Sequence, residues 1–278
     1  MKRLASGAVV LAIATGAAAR GAAPPQSIVR VKPDLYIVTG AGGNSTVWVS
    51  NHGLILVDDK IAGQDNFDNL VAAIRSVTPL PVRAVFNTHH HFDHVGNNAA
   101  FLAAGVIVIG NDALPAALPR SLAPPSLLFS RDFSIVLDTG RADAHYWRAG
   151  HTGDDVIVVF PSVGAVALGG LVVDGTPTFD YEGGANIGGW IATLDDILAL
   201  DVDTGIPGRG AVVGKAGIAA FRDRLTTFRD RARAAVAKGA TAATLIAAIR
   251  IDDLGWTWSA DAWPMKRTAG LWVEAGGK

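Results

Sequence analysis

Hydrophobic and polar positions change period several times along the chain. Residues 28–31, 35–38, 46–50 and 54–57 are short β-branched and apolar runs, separated by Pro33-Asp34, the glycine-rich residues 40–44 and Asn51-His52-Gly53. Extended runs punctuated by turn residues predict adjacent antiparallel strands, a β-meander. The period then becomes helical at Phe67, Leu70, Val71 and Ile74, breaks at Thr78-Pro79, and returns to a buried-looking strand at 82–86. A second series of strand-like runs follows at 106–109, 133–137, 142–148, 156–160 and 165–173. Two strand-rich halves imply two sheets.

Ile187, Trp190, Ile191, Leu194, Ile197 and Leu198 trace one face of a helix, and Ile218, Phe221, Leu225 and Phe228 trace another. The opposite face of the second carries Arg222, Asp223, Arg224, Arg229 and Asp230, a solvated surface. Helices covering two sheets give an α/β protein layered helix, sheet, sheet, helix. Trp256, Trp258, Trp263 and Trp272 near the end of the chain are read as packing groups.

The chain has 278 residues, 50% of them hydrophobic and 18% charged, enough to bury a large core. Beyond residue 30 no linker marks a boundary, so residues 24–278 are expected to form a single domain. Residues 1–23 differ. Lys2 and Arg3 precede an apolar run from 4 to 14 and then small residues, which resembles a secretory signal peptide and predicts a periplasmic or secreted protein. The run is too short for a spanning helix, so no stable membrane span is expected after cleavage. Cleavage would leave 21 basic against 25 acidic side chains, a net charge of −4 with no basic cluster, which argues against a nucleic-acid partner. With no cysteine in the chain, disulfides and thiolate chemistry are excluded and any metal site must use nitrogen and oxygen.

Such a site is suggested by NTHHHFDHVGN, residues 87–97, which holds four of the seven histidines in the chain. It begins where the 82–86 strand ends. In an extended loop alternate side chains share a direction, so His89 and His91 can converge on one point while His90 turns elsewhere. Neutral imidazole is a common zinc ligand, and Asp93 and His94 lie close by. A catalytic zinc needs a third protein ligand and one open position. His151, in the glycine-flanked AGHTGDD, is the favoured donor and His145 the alternative.

These motifs resemble those of the metallo-β-lactamase-fold hydrolases. The resemblance covers most of residues 28–235: Asp58 at a strand end, THHHFDH, GHTGDD, ALGGLVVDG and IPGRG. It implies an αββα four-layer sandwich with a metal site at one edge. It also implies that His89, His91 and His151 form a first metal site, that Asp93 and His94 are ligands available to a second, and that Asp58 orients a ligand histidine. Two positions depart from the pattern, since Gly170 stands where an aspartate or cysteine is usual and Arg209 where P-G-H-G has its histidine. Asp174 is a poor substitute for the missing acid, because four strand residues carry its Cα roughly 13 Å along the chain. The guanidinium of Arg209 can instead replace the second cation, pairing with Asp93 and leaving donors for an anionic substrate group.

The expectation is therefore one zinc per chain, with a second ion doubtful. Three neutral histidines leave the ion its charge, able to lower the pKa of a bound water to near 7. Asp93, His94 and Arg209 are the expected catalytic groups. The substrate is a small amide, lactone or ester, β-lactams among the candidates. Two alternatives are a non-catalytic ligand- or metal-binding protein on the same fold, and a two-metal enzyme whose missing ligands come from elsewhere. Residues 40–44 are either a mobile lip over the site or a plain hairpin connection.

Overall fold

The strand GLILV, Gly53–Val57 (β4), is buried at every residue, and a strand buried on both faces needs cover on both sides. Its side chains divide accordingly. Leu54 and Leu56 pack with Leu70, Ile74 and Phe101, whereas Ile55 and Val57 pack with Phe86, Val158, Phe160 and Ala167. One face thus meets helices and the other meets a second sheet.

The computed structural model describes residues 26–138, 140–258 and 265–278. The expected signal peptide at 1–23 and Trp263 lie outside these residues. The first sheet has seven strands in chain order. β1 (Ser27–Lys32), β2 (Leu35–Thr39), β3 (Ser45–Ser50) and β4 form an antiparallel meander. β5 (Val82–Phe86), β6 (Ile107–Asn111) and β7 (Leu127–Phe129) then add in parallel. The helices α1 (Gln64–Arg75) and α2 (Asn98–Ala103) make the connections and supply Leu70, Ile74 and Phe101 to the outer core. A short helix α3 (Leu114–Ala117) precedes β7.

The second sheet runs β12-β11-β10-β9-β8, built from β8 (Asp132–Leu137), β9 (Gly140–His145), β10 (Ile157–Phe160), β11 (Ala165–Val173) and β12 (Thr204–Arg209). Its outer face carries α4 (Ile187–Ala199), α5 (Lys215–Ala237), the short α6 (Leu245–Ala248) and α7 (Met265–Glu274). Trp190, Phe221, Leu225 and Phe228 are fully buried there, and Trp256 lies 5.8 Å from Phe228 between ring centroids. Trp256, Trp258 and Trp272 are packing groups of this core. The architecture is the expected four-layer αββα sandwich.

Two strands escape the hydrophobic pattern. β7 is only three residues long, and β12 reads TGIPGR, whose Pro207 and two glycines argue against a strand. β12 is nevertheless tolerated because it lies at the sheet edge, parallel to β11. The run 142–148 ends as a strand at His145, where the chain leaves the sheet. Among the described residues no helix is long and apolar enough to cross a membrane.

Candidate metal centre

β4 and β5 are parallel neighbours with Val57 opposite Phe86, so Asp58 and the segment from Asn87 leave the sheet side by side. Asp58, buried and at φ 62°, turns its carboxylate back into that segment. Oδ1 accepts from the Thr88 backbone N–H (2.8 Å); Oδ2 accepts from the Thr88 hydroxyl (2.8 Å) and from His94 Nδ1 (2.6 Å).

These bonds fix a tautomer. The Thr88 hydroxyl gives its only proton to Asp58, so at 2.9 Å from His89 Nδ1 it can only accept, which places the His89 proton on Nδ1. His91 Nε2 donates to Asp180 Oδ2 (3.0 Å), and His151 Nδ1 donates to the Thr178 carbonyl (2.6 Å). In its neutral form each ring then keeps a lone pair on its other nitrogen: His89 Nε2, His91 Nδ1 and His151 Nε2. Those three atoms converge, with His91 Nδ1 3.1 Å from each of the others. Burial, reinforced by the neighbouring imidazoles, pushes the pKa of both His89 and His151 well below the usual histidine range, so these two rings are neutral. Three lone pairs pointing at one place repel unless a cation lies among them. The donor set fits a metal ion, and each ligand nitrogen is oriented by a partner on its opposite side.

His94 and Asp93 stand beside this cluster rather than in it. With Nδ1 held by Asp58, His94 directs Nε2 towards Asp93 Oδ2, 3.4 Å away. Burial opposes charge on His94, but Asp58 and then Asp93 outweigh it and raise the pKa. Arg209, at the end of β12, donates from Nη2 to Asp93 Oδ2. The guanidinium side chain is 54% exposed and the carboxylate 4%, so the arginine reaches in from solvent to a buried acid.

Residues 40–44 form a pinned hairpin connection. A Cβ on Gly43 would come within 2.4 Å of the His94 ring, so the backbone lies flat against that imidazole. Asn44 donates to the Pro207 and Gly210 carbonyls, both at 2.9 Å, which fixes the backbone around Arg209. Lys60, fully buried, donates to the Val38 and Gly43 carbonyls at 2.6 and 2.7 Å. Burial draws its pKa down to about 7 against the pull of Asp58 and Asp93.

A family model described as the metallo-beta-lactamase superfamily matches residues 38–209, a span that holds every residue of this site. The chain belongs to the metallo-beta-lactamase superfamily. It is 25% identical over 203 residues to a metallo-beta-lactamase type 2 of Elizabethkingia meningoseptica, covering 68% of this chain and 81% of that protein. It is 33% identical over 104 residues to a hydroxyacylglutathione hydrolase of Synechococcus sp. (strain JA-3-3Ab), 34% of this chain and 39% of that one. The solved metallo-beta-lactamase from Pontibacter korlensis superposes with a TM-score of 0.66 at 18% identity, over 72% of this chain and 99% of its own, which shows the shared fold. As a member of this superfamily the protein is an enzyme of the hydrolase class.

Gly170 and Arg209 are the two positions at which the resemblance leads one to expect other residues. A Cβ on Gly170 would lie 2.1 Å from His151 Cδ2, and one on Gly169, at φ 50°, would lie 2.5 Å from the Thr88 side chain. The two glycines let β11 pass between these groups, and no carboxylate at 170 fits while His151 keeps its position. Asp174 is exposed, its backbone N–H bonded to the Arg209 carbonyl at 3.1 Å, and it lies outside the cluster of His89, His91 and His151. His145, the alternative third ligand, pairs through Nδ1 with Asp132 (2.7 Å) and is also outside that cluster.

Sequence reasoning missed Asp180, Thr88, Lys60 and the use made of His90. Asp180 lies in an irregular segment between β11 and α4 with no motif around it. His90 and His91 both donate to it, which holds its pKa far below the carboxylate range. Lys60 did carry a signal, as a lysine directly after a buried strand and two acids.

Proposed function

We propose that this protein is an exported, zinc-dependent hydrolase that carries one catalytic ion on His89, His91 and His151 and opens a small amide, lactone or ester bearing an anionic group. The observation that carries the reading is the convergence of three lone-pair nitrogens beside a buried carboxylate whose neighbouring cation is a guanidinium. An all-nitrogen, three-histidine set suits zinc. When bound, such an ion supplies Lewis acidity towards a carbonyl and lowers the pKa of a water to near neutrality.

The chain's own residues do the remainder. Asp93 Oδ2 is held by Arg209, which leaves Oδ1 to orient the attacking water and accept its proton. His94 is fixed by Asp58 and faces Asp93 through Nε2, which helps to hold that carboxylate in place. Arg209 has five N–H donors in a planar fork and uses one on Asp93, so the exposed remainder can take a substrate carboxylate. The metallo-beta-lactamase and hydroxyacylglutathione hydrolase relatives make cyclic amides and thioesters reasonable first substrates. Export rests on residues 1–23 and is tested by whether the mature chain is recovered outside the cytoplasm without them.

The functional test is turnover by zinc-loaded protein of a chromogenic β-lactam and of carboxylate-bearing lactones and esters beside their neutral counterparts. Hydrolysis favouring the anionic members is expected. Tight binding without turnover of any of them would move the assignment to a ligand-binding protein.

A further inference from the structure

His90 stands between the two motifs that make the metal site, and neither nitrogen of its ring faces the ligand cluster. Nδ1 lies 2.8 Å from Asp154 Oδ1 and Nε2 lies 3.2 Å from Asp180 Oδ2. Each ring nitrogen thus faces a carboxylate oxygen, and His90 bridges two acids. The assembly is buried: the His90, Asp154 and Asp180 side chains are 7%, 2% and 15% exposed.

Each acid leads to a ligand. Asp180 Oδ2 accepts from His91 Nε2, while Oδ1 accepts from the Gly183 N–H at 3.1 Å, so both of its oxygens are fixed. Asp154 is three residues beyond His151 in the same loop. That loop is closed on itself by Asp155, which accepts from the Thr152 N–H and hydroxyl, both at 2.9 Å. The segment carrying Asp180 sits directly on the ring, because a Cβ on Gly183 would meet His90 Cε1 at 2.6 Å, and Gly153 donates to the Gly183 carbonyl at 2.7 Å. One imidazole ring therefore ties together the loop of His89 and His91, the loop of His151 and the segment of Asp180.

We infer that His90 is a positioning residue for the metal centre, acting through the line Asp154, His90, Asp180, His91 to hold His91 with its Nδ1 lone pair turned to the ion. The inference rests on the three-histidine zinc reading above. Without the His90 ring, Asp180 loses one of the two hydrogen-bond partners that aim Oδ2, and His91 loses its fixed acceptor. Removing such an outer partner typically weakens metal binding by about 10–100-fold.

The test uses full-length wild-type, His90→Gln and Asp154→Asn proteins, stripped of metal and checked for folding by circular dichroism. Zinc affinity is measured by competition with a chromophoric chelator, and the ligand field by the visible absorption of the cobalt(II) forms. His90→Gln is expected to bind zinc about 10–100-fold more weakly, with a shifted cobalt spectrum. Asp154→Asn, which touches no ligand histidine, is expected to show a smaller loss in the same direction. Wild-type affinity and spectrum in folded His90→Gln would overturn the inference. Should that variant fail to fold, wild-type affinity in Asp154→Asn would overturn it instead. A wild-type protein that takes up no zinc would sink the zinc reading itself, whereas zinc-binding wild type with indifferent variants sinks only the role of His90.

Discussion

Arg209 donates a hydrogen bond to Asp93 across 116 residues of sequence, placing a guanidinium on a buried carboxylate beside His94. The exposed fork is expected to act on substrate as well as on Asp93. Arg209→Ala should lower kcat/KM by at least about tenfold for anionic substrates, and less for neutral ones of the same ring. Arg209→Lys should recover only part of the loss, because it keeps the charge without the planar fork. Equal losses for charged and neutral substrates would argue against an anion contact.

Gly170 is expected to tolerate no side chain while the site remains intact. A Cβ there would lie 2.1 Å from the His151 ring, so Gly170→Ala must displace a metal ligand or bend β11. Zinc affinity in the folded variant should fall by about tenfold or more, in the range seen when ligand orientation is disturbed. Chelator competition reads this directly, and wild-type affinity would mean that His151 has room to move.

Lys60 makes stability depend on pH with a definite sign. Its pKa is depressed from 10.5 to about 7 in the folded protein, so between these values the unfolded chain holds a proton that the folded chain lacks. Stability therefore rises with pH across that window. Metal-free wild type should gain stability over Lys60→Met from pH 7 to 10 by on the order of a few kcal/mol, since each pH interval of one within the window contributes at most ~1.4 kcal/mol. Urea melts of both proteins along the pH series measure the difference. Below pH 7 the variant still removes the Lys60 hydrogen bonds to the Val38 and Gly43 carbonyls, costing ~1–3 kcal/mol for each.

The sandwich was legible because its strands and long helices carry clear patterns: the unbroken apolar run of β4 matches a strand buried on both faces, and the Ile218, Phe221, Leu225, Phe228 stripe matches a buried helix face. β12 was not, since its backbone pairs at a sheet edge where proline and glycine cost little, and it is that strand which delivers Arg209. In the site, the ligand histidines and Asp58 could be read from motifs, because local spacing within a loop sets which imidazoles share a direction. Asp180 could not. It reaches His91 from 89 residues away, out of a segment with no periodicity, and only the folded chain brings the two together. Lys60 was visible as a lysine after a strand, but that it would be buried followed only from where the 40–44 hairpin lands.

Zinc content per chain tests the account most directly. Elemental analysis of dialysed wild-type protein beside His91→Ala and His145→Ala should give about one zinc for wild type and His145→Ala, and essentially none for His91→Ala. Two ions per wild-type chain would show that Arg209 does not stand in for the second metal, and none would contradict the three-histidine centre altogether.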